Sequence, residues 1–529
     1  MLLKENQIAP VSSRLSQLRA IFLWASYGVF LGVYLALTIK YAVRNPLWMD
    51  EVLSVWASRF PTPSQIYQAL LHGAQYSPPA YSWMLHYNAR IFSDSNLTYR
   101  LPSICAAIIT GIVSLALLKR YLDTPSSIFA SCLILETLSP FGLQARPYTI
   151  VTLCFTVALL LWDDLNRGFN MWRVAAIALL LSIAIAFHFY AVLFVPCFGL
   201  IELLRTLRTR QIRYAVWVAL VLAGGSIFLW LPIMRATSHL AAEDVAASHA
   251  FGPDPTIPSL IASYSYLFQG LGNIRFLGGL GMTGLIILCA LCLIPLGRLY
   301  DSLLNKRPDT DATAPKARNQ RNDFWMVVLG SLILPLIVFV FSLVVTKTFN
   351  LRYVIAGSIG ASAVLAEVLS GFPYFRRVVP AILLVASVLT LKFGVPSMEF
   401  FDHNAIYGAL PGRDPVVVAD GSQFFQLEES APVVFRSRLI YLTVPPDVAV
   451  GDASNLHEIM MWKRIRPDLP VEDARTFLSE HGRFYVLDER TADDTPAVFL
   501  LGEGKIDPWE EVSGAMIFRS RPRSSSDAW

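Results

Sequence analysis

The chain has 529 residues, 54% of them hydrophobic and 16% charged, with a mean hydropathy of +0.50. Soluble domains carry about 25% charged residues, so the composition excludes a soluble globular protein and points to an integral membrane protein. A net charge of +4 is too small to argue for a nucleic-acid partner.

Apolar runs of roughly 17 to 25 residues can cross a bilayer. They fall at 20–39, 101–118, 126–142, 146–162, 173–187, 189–204, 214–234, 276–296, 324–346, 351–370 and 377–395. The first run lacks a small-residue cleavage site and reads as a retained helix, not a signal peptide. The stretch through His188 and Tyr190 is split in two because of the positive-inside rule. With the N-terminus cytoplasmic, the inside loops carry Lys119-Arg120, then Arg205, Arg208, Arg210 and Arg213, then a basic group from Arg298 to Arg321, and finally Arg376-Arg377. These alternate correctly only if 173–204 is a hairpin. The reading is a polytopic α-helical membrane protein with about eleven transmembrane helices.

The long outside loops are then 40–100 and 235–275, and the region from about 396 is also outside. There, Val416–Ala419, Leu439–Leu442 and Phe484–Leu487 alternate with helix-compatible stretches, the pattern of a small α/β domain. The expected division is a membrane catalytic domain at 1–395 and an extracytoplasmic α/β domain at 396–529. Pro308–Gln320 reads as an inside linker. All six cysteines lie in apolar runs, which argues against a disulfide framework, and Cys289-x-x-Cys292 reads as small residues at a helix contact.

Within 40–100, short helices are expected at Asp50–Arg59, Ser64–Leu71 and Tyr81–Phe92, lying on the outer leaflet as a cavity wall. Asp50-Glu51 opens the first. Ionised acids beside hydrocarbon lose hydration and call for a cation, a substrate or water. A helix cap with a first-turn acid is the structural alternative, compatible with the functional one. Outside loops should be poor in basic residues, yet Arg100, Arg146, Arg275, Lys347 and Arg352 sit at outside helix ends. Arginine binds phosphate oxygens bidentately and lysine binds them as a point charge. Arg146 and Arg352, closely followed by Tyr148 and Tyr353, are therefore phosphate-binding candidates together with Lys347, against snorkelling to headgroups. Arg100 is read as holding the loop by pairing with an acid or a helix C-terminus. His188 is open between metal ligand, donor contact and a backbone-satisfied interfacial residue. His239, Glu243, Asp244 and His249 lack a recognised ligand spacing.

Trp48-Met49-Asp50-Glu51, Tyr76-Ser77-Pro78-Pro79-Ala80-Tyr81 and Tyr99-Arg100-Leu101-Pro102-Ser103 resemble the first outside loop of family 39 glycosyltransferases. That family has the GT-C fold and includes protein O-mannosyltransferases and lipid A aminoarabinose transferases. Gln144-Ala145-Arg146-Pro147-Tyr148, His188-Phe189-Tyr190 and Arg352-Tyr353 resemble its later outside motifs. The resemblance spans roughly 20–395. Ser77 departs from it, since many members carry a histidine before Pro-Pro.

The resemblance implies transfer of a sugar from a polyprenyl-phosphate donor to a glycan, lipid or protein acceptor at the outer face of a bacterial inner membrane. It implies inversion, with Asp50 as base or acceptor orienter and Glu51 as its partner or the alternative base. Arg100, Tyr81 and His188 would position the loop or touch substrate. No cofactor is implied, and a divalent cation is left open. A lipid transporter or flippase is the competing class. Transporters place charge near the midplane and show repeated halves, whereas here Glu136 and Glu367 are the main ionisable residues inside spans.

Overall fold

The computed structural model describes residues 9–236, 254–268, 314–372, 374–393, 403–410, 412–444, 455–489 and 494–521. The chain is mostly helical. After α1 (Ala9–Arg44) come three short helices, α2 (Met49–Ser58), α3 (Pro63–Leu71) and α4 (Ala80–Ile91). Long helices follow: α5 (Asn96–Leu118), α6 (Thr124–Gly142), α7 (Tyr148–Arg167), α8 (Met171–Phe187), α9 (Phe194–Thr209) and α10 (Tyr214–Gly225). Side-chain caps set several starts: Ser95 accepts from the Thr98 amide, Asp123 from Ser126 and Asn170 from Trp172. Beyond α11 (Ile257–Phe268), the bundle closes with α12 (Ala314–Leu332), α13 (Leu334–Phe341), α14 (Ser358–Ser370) and α15 (Phe375–Phe393).

Among the described residues, six helical stretches are long and apolar enough to cross a membrane: Ser16–Arg44, Asn96–Leu118, Tyr148–Arg167, Phe189–Thr209, Tyr214–Ala236 and Arg321–Thr346. Met171–Phe187, Ile257–Phe268 and Ile355–Ser370 are shorter apolar helices. Every expected span coincides with helical chain over its described residues; 276–296 and the end of 377–395 lie outside them, as do Arg275 and the His239–His249 group. The 173–204 run does break, at His188, into α8, a 3-10 turn (Phe189–Leu193) and α9. Two spans are less regular than expected. The 324–346 span breaks before Pro335 and ends in a π turn, Ser342–Thr346. The 351–370 span starts as two 3-10 turns, the first fixed by the Asn350 side chain on the Arg352 amide (3.1 Å).

Ion pairs gather the basic loops at one end of the bundle. Arg120 pairs with Asp163 (2.5 Å), Arg208 with Asp323 (2.7 Å) and Arg376 with Asp123 (3.0 Å). These residues come from the turns that the charge alternation assigned to one side. Tight packing holds the helices: a Cβ at Gly360 of α14 would meet the Val328 carbonyl of α12 at 2.7 Å, so only glycine allows that approach.

The other end carries α16 (His403–Ala409) and a six-stranded sheet in the order β3-β2-β1-β4-β6-β5. Strands β1 (Val416–Val418), β2 (Leu439–Thr443), β3 (Val471–Asp473) and β4 (Tyr485–Glu489) pair in parallel. β5 (Ile506–Val512) and β6 (Ala515–Ser520) form an antiparallel edge. The helices α17 (Gly421–Ser430), α18 (Val433–Arg436), α19 (Leu456–Ile465), α20 (Ala474–Glu480) and α21 (Thr495–Gly502) connect the strands, so the parallel crossovers are helical, as parallel pairing demands.

This sheet shares a hydrophobic core with the short helices. Val52, Val55, Trp56, Ile66 and Leu85 pack in one cluster with Phe424, Phe425, Trp462 and Ile517. The Trp56 ring meets Phe425 (5.5 Å) and Trp462 (5.2 Å) edge to face. Arg59 of the adjoining turn is bidentate on Glu429, which also accepts from Trp56 Nε1 (2.8 Å). An amphipathic helix with one buried face is what the sequence suggests for α2. Instead every α2 residue except Asp50 is buried, because the sheet-bearing region covers its other face.

Candidate functional site

Asp50 stands at the second position of α2 with 29% of its side chain exposed, the one opening in an otherwise covered helix. The cap is Trp48, not Asp50. The Asp50 Oδ2 receives Arg352 Nη1 at 2.8 Å and lies 3.7 Å from Arg146 Nη2. Arg146 arrives on the turn before α7. Its Nη1 donates to the Asp50 carbonyl (3.0 Å) and to Ser54 Oγ (3.0 Å), and its Nη2 to Tyr148 Oη (3.2 Å). Ser54 lies one turn after Asp50, donates to the Asp50 carbonyl and also accepts from Gln75 Nε2 (2.9 Å). The Nε atoms of Arg146 and Arg352 are buried with no acceptor among the described residues.

Aromatic rings wall this cluster. The Arg352 guanidinium lies over Tyr148 (5.8 Å) and Tyr353 (5.5 Å), and Tyr353 stacks on Tyr190 at 3.9 Å. His188 sits among Tyr148, Tyr190 and Tyr353, its Nδ1 accepting from the Tyr190 amide (3.3 Å). Tyr148, His188, Tyr190, Arg352 and Tyr353 line a crevice of about 20 Å3, room for roughly one water molecule. Tyr81 is buried against Phe187, and its hydroxyl is 3.5 Å from Ser103, whose Oγ donates to the Arg146 carbonyl (2.8 Å). It thus reaches the cluster through the Arg146 backbone.

Electrostatics follow from burial and proximity. Burial pushes the Asp50 carboxyl up, but the charges of Arg146 and Arg352 outweigh it and leave the group below its ordinary value. Burial together with the same two cations lowers His188 to about 3, so it is neutral at physiological pH.

Glu51 faces the other way. Its carboxylate is fully engaged: a fork from Arg100 (2.8 and 2.7 Å), the Trp48 amide (2.7 Å) and the Ala145 amide (2.6 Å). Arg100, wholly buried, also donates to the carbonyls of Ala42, Asn45 and Pro46. Both Glu51 oxygens are thus engaged within the fold, whereas the Asp50 carboxylate is partly exposed. Lys347 is exposed, at φ +59°, with its Nζ donating to the Leu343 carbonyl (2.6 Å), while the preceding Thr346 accepts from the Tyr190 hydroxyl (2.8 Å). The geometry brings Asp50, Arg146, Arg352, Tyr148, Tyr353 and His188 together. It adds Ser54 and Gln75, together with Ser103 and Tyr190, which stand in the quoted motifs but were not among the expected site residues. Ser54 was findable, since a residue four positions on shares the face of Asp50. Among the described residues no group of three His, Cys, Asp or Glu side chains is placed to hold a metal ion.

No protein-family model matches the chain, and no curated protein matches it in sequence. Solved structures do resemble it in outline. ArnT from Cupriavidus metallidurans bound to undecaprenyl phosphate is 11% identical, over 93% of this chain and 98% of that one, with a TM-score of 0.41. An Archaeoglobus fulgidus oligosaccharyltransferase in complex with Zn and sulfate is 11% identical, over 91% and 71%, with a TM-score of 0.44. Arabinosyltransferase EmbB from Mycobacterium smegmatis is 18% identical, over 65% and 30%, with a TM-score of 0.39. At such identities and scores the likeness carries no weight about residue roles or substrates.

Proposed function

We propose that the protein is an inverting glycosyltransferase that moves a sugar from a polyprenyl-phosphate donor to an acceptor hydroxyl or phosphate at the outer face of a bacterial inner membrane. In this reading 1–395 is the catalytic membrane domain and 396–529 an extracytoplasmic one. The carrying observation is the Asp50 carboxylate held between Arg146 and Arg352, each with a buried Nε lacking an acceptor among the described residues.

The donor phosphate takes the place of the carboxylate on the two guanidiniums, which bind its oxygens and stabilise the charge that grows as it leaves. An acceptor hydroxyl oxygen attacks the anomeric carbon from the opposite face and forms the new C–O bond. The bond to the phosphate oxygen breaks, and the phosphate departs with the electron pair. The acceptor proton passes to Asp50. With its cations engaged by phosphate, Asp50 loses the influence that holds its pKa down and becomes a better base at the moment one is needed.

The test is transfer from a panel of radiolabelled polyprenyl-phosphate sugars by the purified protein. Asp50→Asn should slow turnover by about 10²- to 10⁴-fold while donor binding is kept. Arg352→Ala should weaken donor binding more than acceptor binding. Full activity in Asp50→Asn, or an acceptor-only defect in Arg352→Ala, would overturn the assignment. A chelator arm of the same assay reports whether a divalent cation assists.

A further inference from the structure

A second basic constellation lies at the end of the bundle away from Asp50. α7 starts at Tyr148 beside the crevice and ends at Arg167, about 30 Å away at the helical rise. At that far end a cavity of about 520 Å3 opens between the ends of α7 and α9 and the start of α10, lined by Asn166, Arg205, Arg208, Gln211 and Arg213.

Glu202 cannot neutralise all of this charge. Its carboxylate binds Arg205 Nε (2.9 Å), Arg213 through Nε (2.9 Å) and Nη2, and Trp162 Nε1 (3.0 Å). Arg208 pairs with Asp323. Three guanidiniums thus face two carboxylates. Two donors, Arg208 Nη1 and Asn166 Nδ2, are buried with no acceptor among the described residues. The rim is apolar and exposed: Phe169 (56%), Ile212 (51%) and Tyr214 (73%) face outward beside the basic wall.

We propose that this cavity binds the phosphate headgroup of an acidic phospholipid in the leaflet opposite the catalytic end, with the acyl chains against the apolar rim. Spare positive charge, unfilled guanidinium and amide donors and an exposed apolar rim together match a phosphodiester delivered from the membrane, and basic pockets between transmembrane helices recognise such headgroups. Free phosphate shares the anion chemistry but leaves the rim bare.

The experiment uses the full-length protein in neutral detergent, with bound lipid counted by native mass spectrometry and thermal stability followed during titration. Cardiolipin, phosphatidylglycerol, phosphatidylcholine and inorganic phosphate are the probes. Cardiolipin and phosphatidylglycerol should stabilise the protein, and phosphatidylcholine should not. Gln211→Glu, which places a carboxylate in the cavity without removing an ion pair, and Arg208→Gln should each weaken the acidic-lipid effect at least fivefold. Arg352→Ala, at the other end, should keep it. Unchanged lipid binding in Gln211→Glu, loss confined to Arg352→Ala, or equal stabilisation by inorganic phosphate would overturn the proposal.

Discussion

At the scale of single residues, two adjacent acids have opposite fates because their neighbours differ. Glu51 lies in a wholly buried pair with Arg100, and removing one partner of such a pair costs about 3–5 kcal/mol. Glu51→Gln should therefore lower the melting temperature in detergent yet leave turnover per folded molecule near that of the parent. Loss of turnover at unchanged stability would place Glu51 in the chemistry. His188 supplies a pH test. Its folded pKa of about 3 lies below the ordinary 6.5, so between these values the unfolded chain binds a proton that the native one does not. Its contribution to stability is complete above pH 6.5 and declines as pH falls through that window. Melting temperature followed from pH 6.5 to about 4.5 should thus drop more steeply in the parent than in His188→Gln, a range that keeps clear of most carboxylate titration. Asp50-Glu51, Arg146 and Arg352 were visible in the sequence as charge where hydrophobicity predicts none. Which acid meets which arginine was not, since Asp50 and Arg352 are 302 residues apart.

At the scale of elements, hydropathy gave the helices, and charge alternation correctly split the run at His188. The sequence hid irregularities that depend on tertiary contacts, such as the 3-10 turn that presents Arg352 and the break before Pro335. The α12–α14 contact tests how rigidly that turn is backed. Gly360→Ala forces a methyl onto the Val328 carbonyl, and overpacking of this kind costs about 1–3 kcal/mol. A fall in melting temperature is expected, measured beside Gly408→Ala, where a Cβ meets nothing within 4 Å. Equal behaviour of the two variants would mean that α14 shifts freely.

At the scale of the whole molecule, the α/β pattern beyond residue 396 was legible from its alternating runs, but its role as a cover for α2 was not. Local patterning carries no information about a tryptophan that packs on another 406 positions away. Since α2–α4 and the sheet share one core, they should lose structure together. Hydrogen exchange should show matched protection in Val52–Ala57 and Phe424–Leu427, and Trp56→Ala should lower both. Protection lost in only one would separate them. The bond between Arg59 and Glu429 also sets a schedule for the newly made protein. Some 370 residues must leave the ribosome before the helix bearing Asp50 gains its second wall, so a half-synthesised chain holds an unfinished pocket until the sheet closes over it.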